Sequence, residues 1–228
     1  MAETMKDGIR LYRNGKYEDA LVVFLALPGG SGAGNLELAY YIGLCYARME
    51  RYDDALVYLE QVVTADTDLA RVYQCRMVLS VIYSMTGRTR LADFELRKLI
   101  DAGYESAQVF CSLGYVAFSN DKPEEAVEWY EKALAIEPSS GTAMNGLGYV
   151  LADTGRDLTR ALTMCKKAVD ADPDNPAYLD SLGWVYYKLG LDTEAKTFTR
   201  RAKDYAPSNQ IISNHLSEIL GGTSGGRK

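Results

Sequence analysis

The sequence predicts an all-α solenoid of stacked helical hairpins, on three observations. A unit best seen in residues 107–140 recurs along the chain with a period near 34. In each copy a small residue (Gly8, Gly43, Ser80, Gly114, Gly148, Gly183) is followed by an alanine (Ala20, Ala55, Ala92, Ala126, Ala161, Ala195). The offset is 12 positions in five copies and 13 in the fifth, where the turn GRDLTR is one residue longer. Around these anchors apolar residues repeat at helical spacing, and a short hairpin of that kind can complete its core only by stacking on copies of itself.

Within each copy the first helix carries Ile42, Leu79, Leu113, Leu147 or Leu182 just before the small residue, and Leu11, Tyr46, Tyr83, Leu151 or Tyr186 three positions after it, on one face. Gly15, Gly87, Gly155 and Gly190 stand where that helix should end, as C-terminal caps do. In the fourth copy Asp121, Pro123 and Glu124-Glu125 offer the second helix a cap, a helix-compatible proline and acidic residues at the favourable end of the dipole. Pro138, Pro173 and Pro207 close the second helices of the last three copies. The two helices of a hairpin approach closely only where each offers a small side chain, so each glycine is expected to meet its alanine.

These signals divide the chain into repeats 1–34, 36–72, 73–106, 107–140, 141–175 and 176–209, expected to form a single domain over 1–220. The first copy departs from the pattern, with Asp7 where an apolar residue is expected and PGGSGAG at 28–34, and is expected to be a frayed cap or to pair elsewhere. Segment 208–220 places Ile211, Ile212, His215, Leu216, Ile219 and Leu220 at helical spacing, a helix suited to covering the open end of the last repeat. The glycine-rich 221–228 is expected to be a flexible tail.

Composition narrows the function. Of 228 residues, 47% are hydrophobic and 25% charged, as in a folded soluble protein. A net charge of -6 gives no attraction for phosphate backbones or anionic lipids, so nucleic acid is an unsuitable partner. No run of about 18 apolar residues occurs, so direct membrane insertion is not expected. Without a leader at Met1 the expected compartment is the cytoplasm; a trimmed start would make it periplasmic or envelope-associated. Cys45, Cys75, Cys111 and Cys165 fall one to a repeat with no paired spacing and are expected to be buried free thiols.

The quoted pattern resembles the tetratricopeptide repeat, most closely in copies four to six. That resemblance implies a right-handed superhelix whose first helices line a concave groove. Helix periodicity then turns the second, fifth, ninth and twelfth positions of each copy inward. The candidate peptide-binding groove is therefore Tyr40, Leu44, Met77, Tyr115, Phe118, Asn145, Tyr149, Asp180, Trp184 and Tyr187. The inward positions hold no lysine or arginine, so they lack the basic clamp with which one subfamily grips the C-terminal carboxylate of heat-shock chaperones. Asn145 resembles the asparagines that bond a peptide backbone in other members. The aromatic lining is expected to receive an apolar or amphipathic segment of another protein. The alternative is that these aromatics pack the first helices together or are covered by the chain's own termini.

No catalytic constellation stands out. His215 is the sole histidine, which removes histidine triads and multi-histidine metal sites, and no phosphate-binding glycine loop has the required spacing. Asp53-Asp54 and Glu124-Glu125 match helix N-terminal chemistry, and the basic clusters Arg97-Lys98, Lys166-Lys167 and Arg200-Arg201 with Lys203 read as solvated faces of second helices. The expected function is a non-enzymatic scaffold or adaptor without metal or cofactor. Bacterial envelope or pilus assembly of the pilotin kind is an alternative by analogy of repeat number. An RNA-binding helical repeat, opposed by the acidic charge, is the alternative from another class. Activation of an enzyme through the groove, and homo-oligomerisation through the terminal repeats, complete the expectations.

Overall fold

The computed structural model describes residues 4–28 and 33–221. Among them are thirteen helices: α1 Met5–Arg13, α2 Tyr17–Ala26, α3 Ala33–Arg48, α4 Tyr52–Ala65, α5 Leu69–Met85, α6 Thr89–Asp101, α7 Ala107–Ser119, α8 Pro123–Ile136, α9 Gly141–Asp153, α10 Leu158–Ala171, α11 Pro176–Lys188, α12 Asp192–Tyr205 and α13 Gln210–Gly221. They pair into six hairpins followed by α13, and no strand occurs among the described residues, so the all-α class expected from the repeats is the class found. Gly221 closes α13, and the rest of the expected tail, 222–228, lies outside the described residues, as does most of the PGGSGAG stretch.

The helices group into two compact units, Met1–Glu105 with α1 to α6 and Ser106–Lys228 with α7 to α13. In the first unit α1 packs on α2 and α3, α3 on α4 and α5, and α5 on α6. In the second, first helices again touch first helices, α7 against α9 and α9 against α11, while α8 and α10 pack between successive hairpins and α13 closes on α12 and α11. Each unit thus presents one face made of first helices.

One turn joins the helices of every hairpin. The N–H of Lys16, Arg51, Arg88, Lys122, Arg156 and Leu191 donates to the carbonyl five residues back, on Leu11, Tyr46, Tyr83, Ala117, Leu151 and Tyr186, at 2.7–3.0 Å. This long bond is the signature of a Schellman ending, which requires a left-handed residue just before its donor. Gly15, Gly87, Gly155 and Gly190 supply it with φ of 68–78°, while Glu50 (59°) and Asp121 (60°) adopt it without being glycine. Asp121 is therefore not the cap of the second helix: Lys122 holds that position, immediately before Pro123. Side-chain caps belong mainly to the first helices; among the second helices only α10 has one, with Asp157 accepting from the Arg160 N–H at 3.0 Å. Asp68 accepts from Ala70 and Arg71, Ser106 from Val109, Ser140 from Ala143, Asn175 from Ala177, and Asn209 opens α13 by accepting from Ile211 and Ile212. Asp7 has a use in α1, where its carboxylate accepts from the Thr4 N–H at 3.1 Å and the Thr4 hydroxyl at 2.7 Å, and these bonds lower its pKa.

The packing rule is sharper than expected. All six repeat alanines are 0% exposed. The glycines, however, face the residue four positions beyond the alanine, one turn along the second helix. A Cβ on Gly8, Gly43, Gly114, Gly148 or Gly183 would come within 2.2–2.8 Å of Phe24, Leu59, Tyr130, Cys165 or Thr199. The alanine itself enters through its backbone, with Ala161 and Ala195 carbonyl oxygens 3.0 and 3.2 Å from the added carbon. In the third copy Ser80 fits and ties its hydroxyl back to the Met77 carbonyl at 2.8 Å.

Candidate functional site

The expected inward residues divide by unit. In the first unit they pack. The Tyr40 hydroxyl donates to Gln74 Oε1 at 2.6 Å, linking α3 to α5, and its ring stands edge-on to Tyr41 at 4.9 Å. Burial raises the Tyr40 phenol above its usual range. Leu44 is only 3% exposed, and Met77 is half-buried. None of these is an open surface.

The second unit brings its residues into a ladder across α7, α9 and α11. Phe118 stands edge-on to Tyr149 at 5.7 Å, and Trp184 lies 5.3 Å from Tyr187. Between these pairs sits a residue from outside the expected set, His215 of α13. Its ring is 5.9 Å from Tyr149 and stacks on Trp184 at 4.3 Å with 20° between planes. His215 Nδ1 donates to Asp180 Oδ2 at 2.7 Å, and its Nε2 lies 3.4 Å from the Tyr149 hydroxyl. The Trp184 indole N–H donates to Asp153 Oδ1 at 3.1 Å. With α13 in place Trp184 is 4% and Asp180 5% exposed.

The ladder therefore has an occupied end and an open end. α13 seats Ile212 against Leu179 and Ala202 and inserts His215 among the aromatics, so the chain's own C-terminal helix covers part of the predicted groove. Toward α7 the surface is open: Tyr115 is 55% exposed, and Phe118 and Tyr149 are half-buried. Asn145, on α9, has a buried side-chain oxygen with no hydrogen bond. The local field is acidic, for after burial the charges of Asp153, Asp180 and Glu218 add to the raising of the Tyr149 phenol. Lys188 answers them with its ammonium 4.7 Å over the Trp184 ring.

Sequence periodicity found the ladder but not the helix that enters it. The signal was available: His215 lies three residues after Ile212 and four before Ile219, on the buried stripe of α13. Members of the basic clusters are engaged within their helices or with neighbouring segments. Arg97 bonds Asp93 at 2.8 Å, Lys98 pairs with Asp101 at 3.7 Å, Arg201 lies 3.9 Å from Asp174, and Lys203 reaches the Pro207 carbonyl and the Ser213 hydroxyl, fastening α12 to α13. Among the described residues no group of three or more His, Cys, Asp or Glu could hold a metal ion, and no helix is long and apolar enough to cross a membrane.

Family models described as the tetratricopeptide repeat match residues 37–67, 86–141 and 111–176. The chain belongs to the tetratricopeptide repeat family. A TPR repeat-containing protein of Pseudomonas aeruginosa is 38% identical over 85 residues, a match covering 37% of this chain and 14% of that protein. The chain thus spans a small part of that relative's length. Solved tetratricopeptide structures share the fold: the Cut9-Hcn1 hetero-tetramer of the APC/C (TM-score 0.72, 15% identity, 95% of this chain and 42% of that one). YrrB, described as a TPR protein with an unusual peptide-binding site, does so as well (TM-score 0.55, 19% identity, 79% and 91%). Tetratricopeptide repeats mediate protein–protein interaction, and some members bind peptides.

Proposed function

We propose that this tetratricopeptide protein is a non-enzymatic adaptor that holds an apolar or amphipathic helical segment of a partner protein against the first-helix face of α7, α9 and α11. The observation that carries this reading is the aromatic ladder itself, which already receives one amphipathic helix, α13, through a stacked and hydrogen-bonded side chain. The surface beyond α13, with Tyr115 and Phe118, continues the aromatic face without an occupant from this chain, and the buried Asn145 oxygen on α9 has no hydrogen bond. Rigid aromatic rings supply contact area at low entropic cost, and phenol or amide groups fix the register of a bound segment.

The test is selection of binding peptides from a random library on the full chain, followed by affinity measurement on Tyr115→Ala/Phe118→Ala. Both side chains are at least partly exposed, so the fold should persist. Selected peptides are expected to be amphipathic and to lose at least tenfold in affinity on the double variant. Undiminished affinity would place the binding surface elsewhere.

A further inference from the structure

Asp180 is the odd member of the ladder. It is an almost fully buried acid on the inner face of α11, and a buried carboxylate normally has both oxygens engaged. Here Oδ2 receives the His215 Nδ1 proton, while Oδ1 is buried with no hydrogen bond. An imidazole presents one N–H on that edge and cannot reach both oxygens. The occupant in place therefore leaves half of the carboxylate unsatisfied.

A guanidinium fits where imidazole falls short. It is planar, so it can take the stacked place of the His215 ring, 4.3 Å over Trp184. Its parallel N–H groups match the two oxygens of a carboxylate, and it remains charged in a buried pair. The surroundings favour a cation, with Asp153, Asp180 and Glu218 all acting on the Tyr149 phenol, against which stands the Lys188 ammonium above Trp184. The occupant is also held by few buried side chains. α13 has 12 residues, ends the described chain, and buries only Ile212, His215 and Ile219. Short helices with few buried side chains open at lower cost than the rest of a fold.

We infer that the slot formed by Trp184, Asp180 and Tyr149 is an arginine receptor, and that the partner's amphipathic helix carries an arginine flanked at helical spacing by apolar residues and displaces α13 to dock there. This rests on the adaptor reading and adds the chemistry of the ligand. α13, with apolar residues at 212 and 219 and His215 between them, is an imperfect internal copy of that ligand.

The experiment uses the full chain and three labelled peptides of sequence 208–220, carrying His, Arg or Lys at the position of His215, with binding read by fluorescence anisotropy. The arginine peptide is expected to bind at least tenfold tighter than the other two, since an ammonium, like an imidazole, does not present a fork. On Asp180→Asn, with helicity checked by circular dichroism, the advantage should fall below twofold. His215→Ala, which empties the slot of its present occupant and loosens α13, should strengthen arginine-peptide binding. Equal affinity for the three peptides would overturn the guanidinium assignment without any protein variant. Failure of all three to bind even His215→Ala would overturn the displacement of α13. The adaptor reading is tested separately by the library-selected peptides and Tyr115→Ala/Phe118→Ala.

Discussion

Gly183→Ala puts the packing rule of the hairpin to a quantitative test. The added methyl would lie 2.2 Å from Thr199 Oγ1, 3.1 Å from the Thr199 nitrogen and 3.2 Å from the Ala195 carbonyl. The last two are backbone atoms of α12 that no rotamer change can move, so α11 and α12 must separate. Overpacking of this kind costs about 1–3 kcal/mol, against which alanine returns about 1 kcal/mol of helix propensity. The net loss is up to about 2 kcal/mol, or up to roughly 8 °C in Tm for a chain of this size. Gly114→Ala is the internal comparison: its added methyl would meet the Tyr130 ring at 2.8 Å, and that ring is buried and also lies against Gly146, so a comparable loss is expected. Thermal unfolding followed by tryptophan fluorescence suits both variants, since Trp129 and Trp184 lie in the same unit. Thr199→Ala, which removes the closest atom, should restore part of the Gly183→Ala loss. A raised Tm for Gly183→Ala would show that the α11–α12 crossing is not as close as described.

Three further outcomes are expected. Glu50→Gly and Asp121→Gly relieve left-handed backbone at φ of 59° and 60° and should each stabilise the chain by about 0.5–1 kcal/mol in urea unfolding; destabilisation would mean that those side chains hold the turns. Burial pushes the thiols of Cys45, Cys75 and Cys165 up to about 12, and that of Cys111 to about 11, from the ordinary 9.0. Stability from keeping them neutral is thus complete below 9 and lost as pH rises toward these values. A thiol reagent at pH 8 should label none of the four in the native chain and all four in denaturant, and prompt native labelling would contradict their burial. We propose that residues 1–220 unfold as one domain, so circular dichroism, which reports all helices, and the fluorescence of Trp129 and Trp184 should show coincident transitions; separated midpoints would divide the domain.

Much of this was legible in the residues because repetition multiplies weak signals. Gly8 or Ala20 alone says little, but six such pairs, five at one spacing and one a residue longer, impose the same crossing six times, and the alanines are buried without exception. The caps were equally periodic, at Asp68, Ser106, Ser140, Asn175 and Asn209, yet short polar residues are common in loops and their role appears only with the helix starts in view. Asp121 shows why local chemistry misleads: an aspartate before a proline looks like a cap, but the Schellman turn requires a left-handed residue there and takes aspartate where glycine is missing. Inward and outward positions follow from helix geometry, so Phe118, Tyr149 and Trp184 could be aligned from sequence. Periodicity within α11 holds no information about α13 folding back; cover by the chain's own termini stood as an alternative in the sequence, and the structure shows His215 providing it over Trp184 and Asp180.

The central claim, that the first-helix face of α7, α9 and α11 is the partner-binding surface, is tested most directly by site-specific photocrosslinking in the native host. A photoreactive phenylalanine analogue at Tyr115, 55% exposed on that face, is compared with one at Ile136, 51% exposed on the second helix α8. The account predicts a discrete crosslinked partner from position 115, lost when Phe118 is also replaced by alanine, and none from 136. Crosslinking from 136 with none from 115 would contradict it.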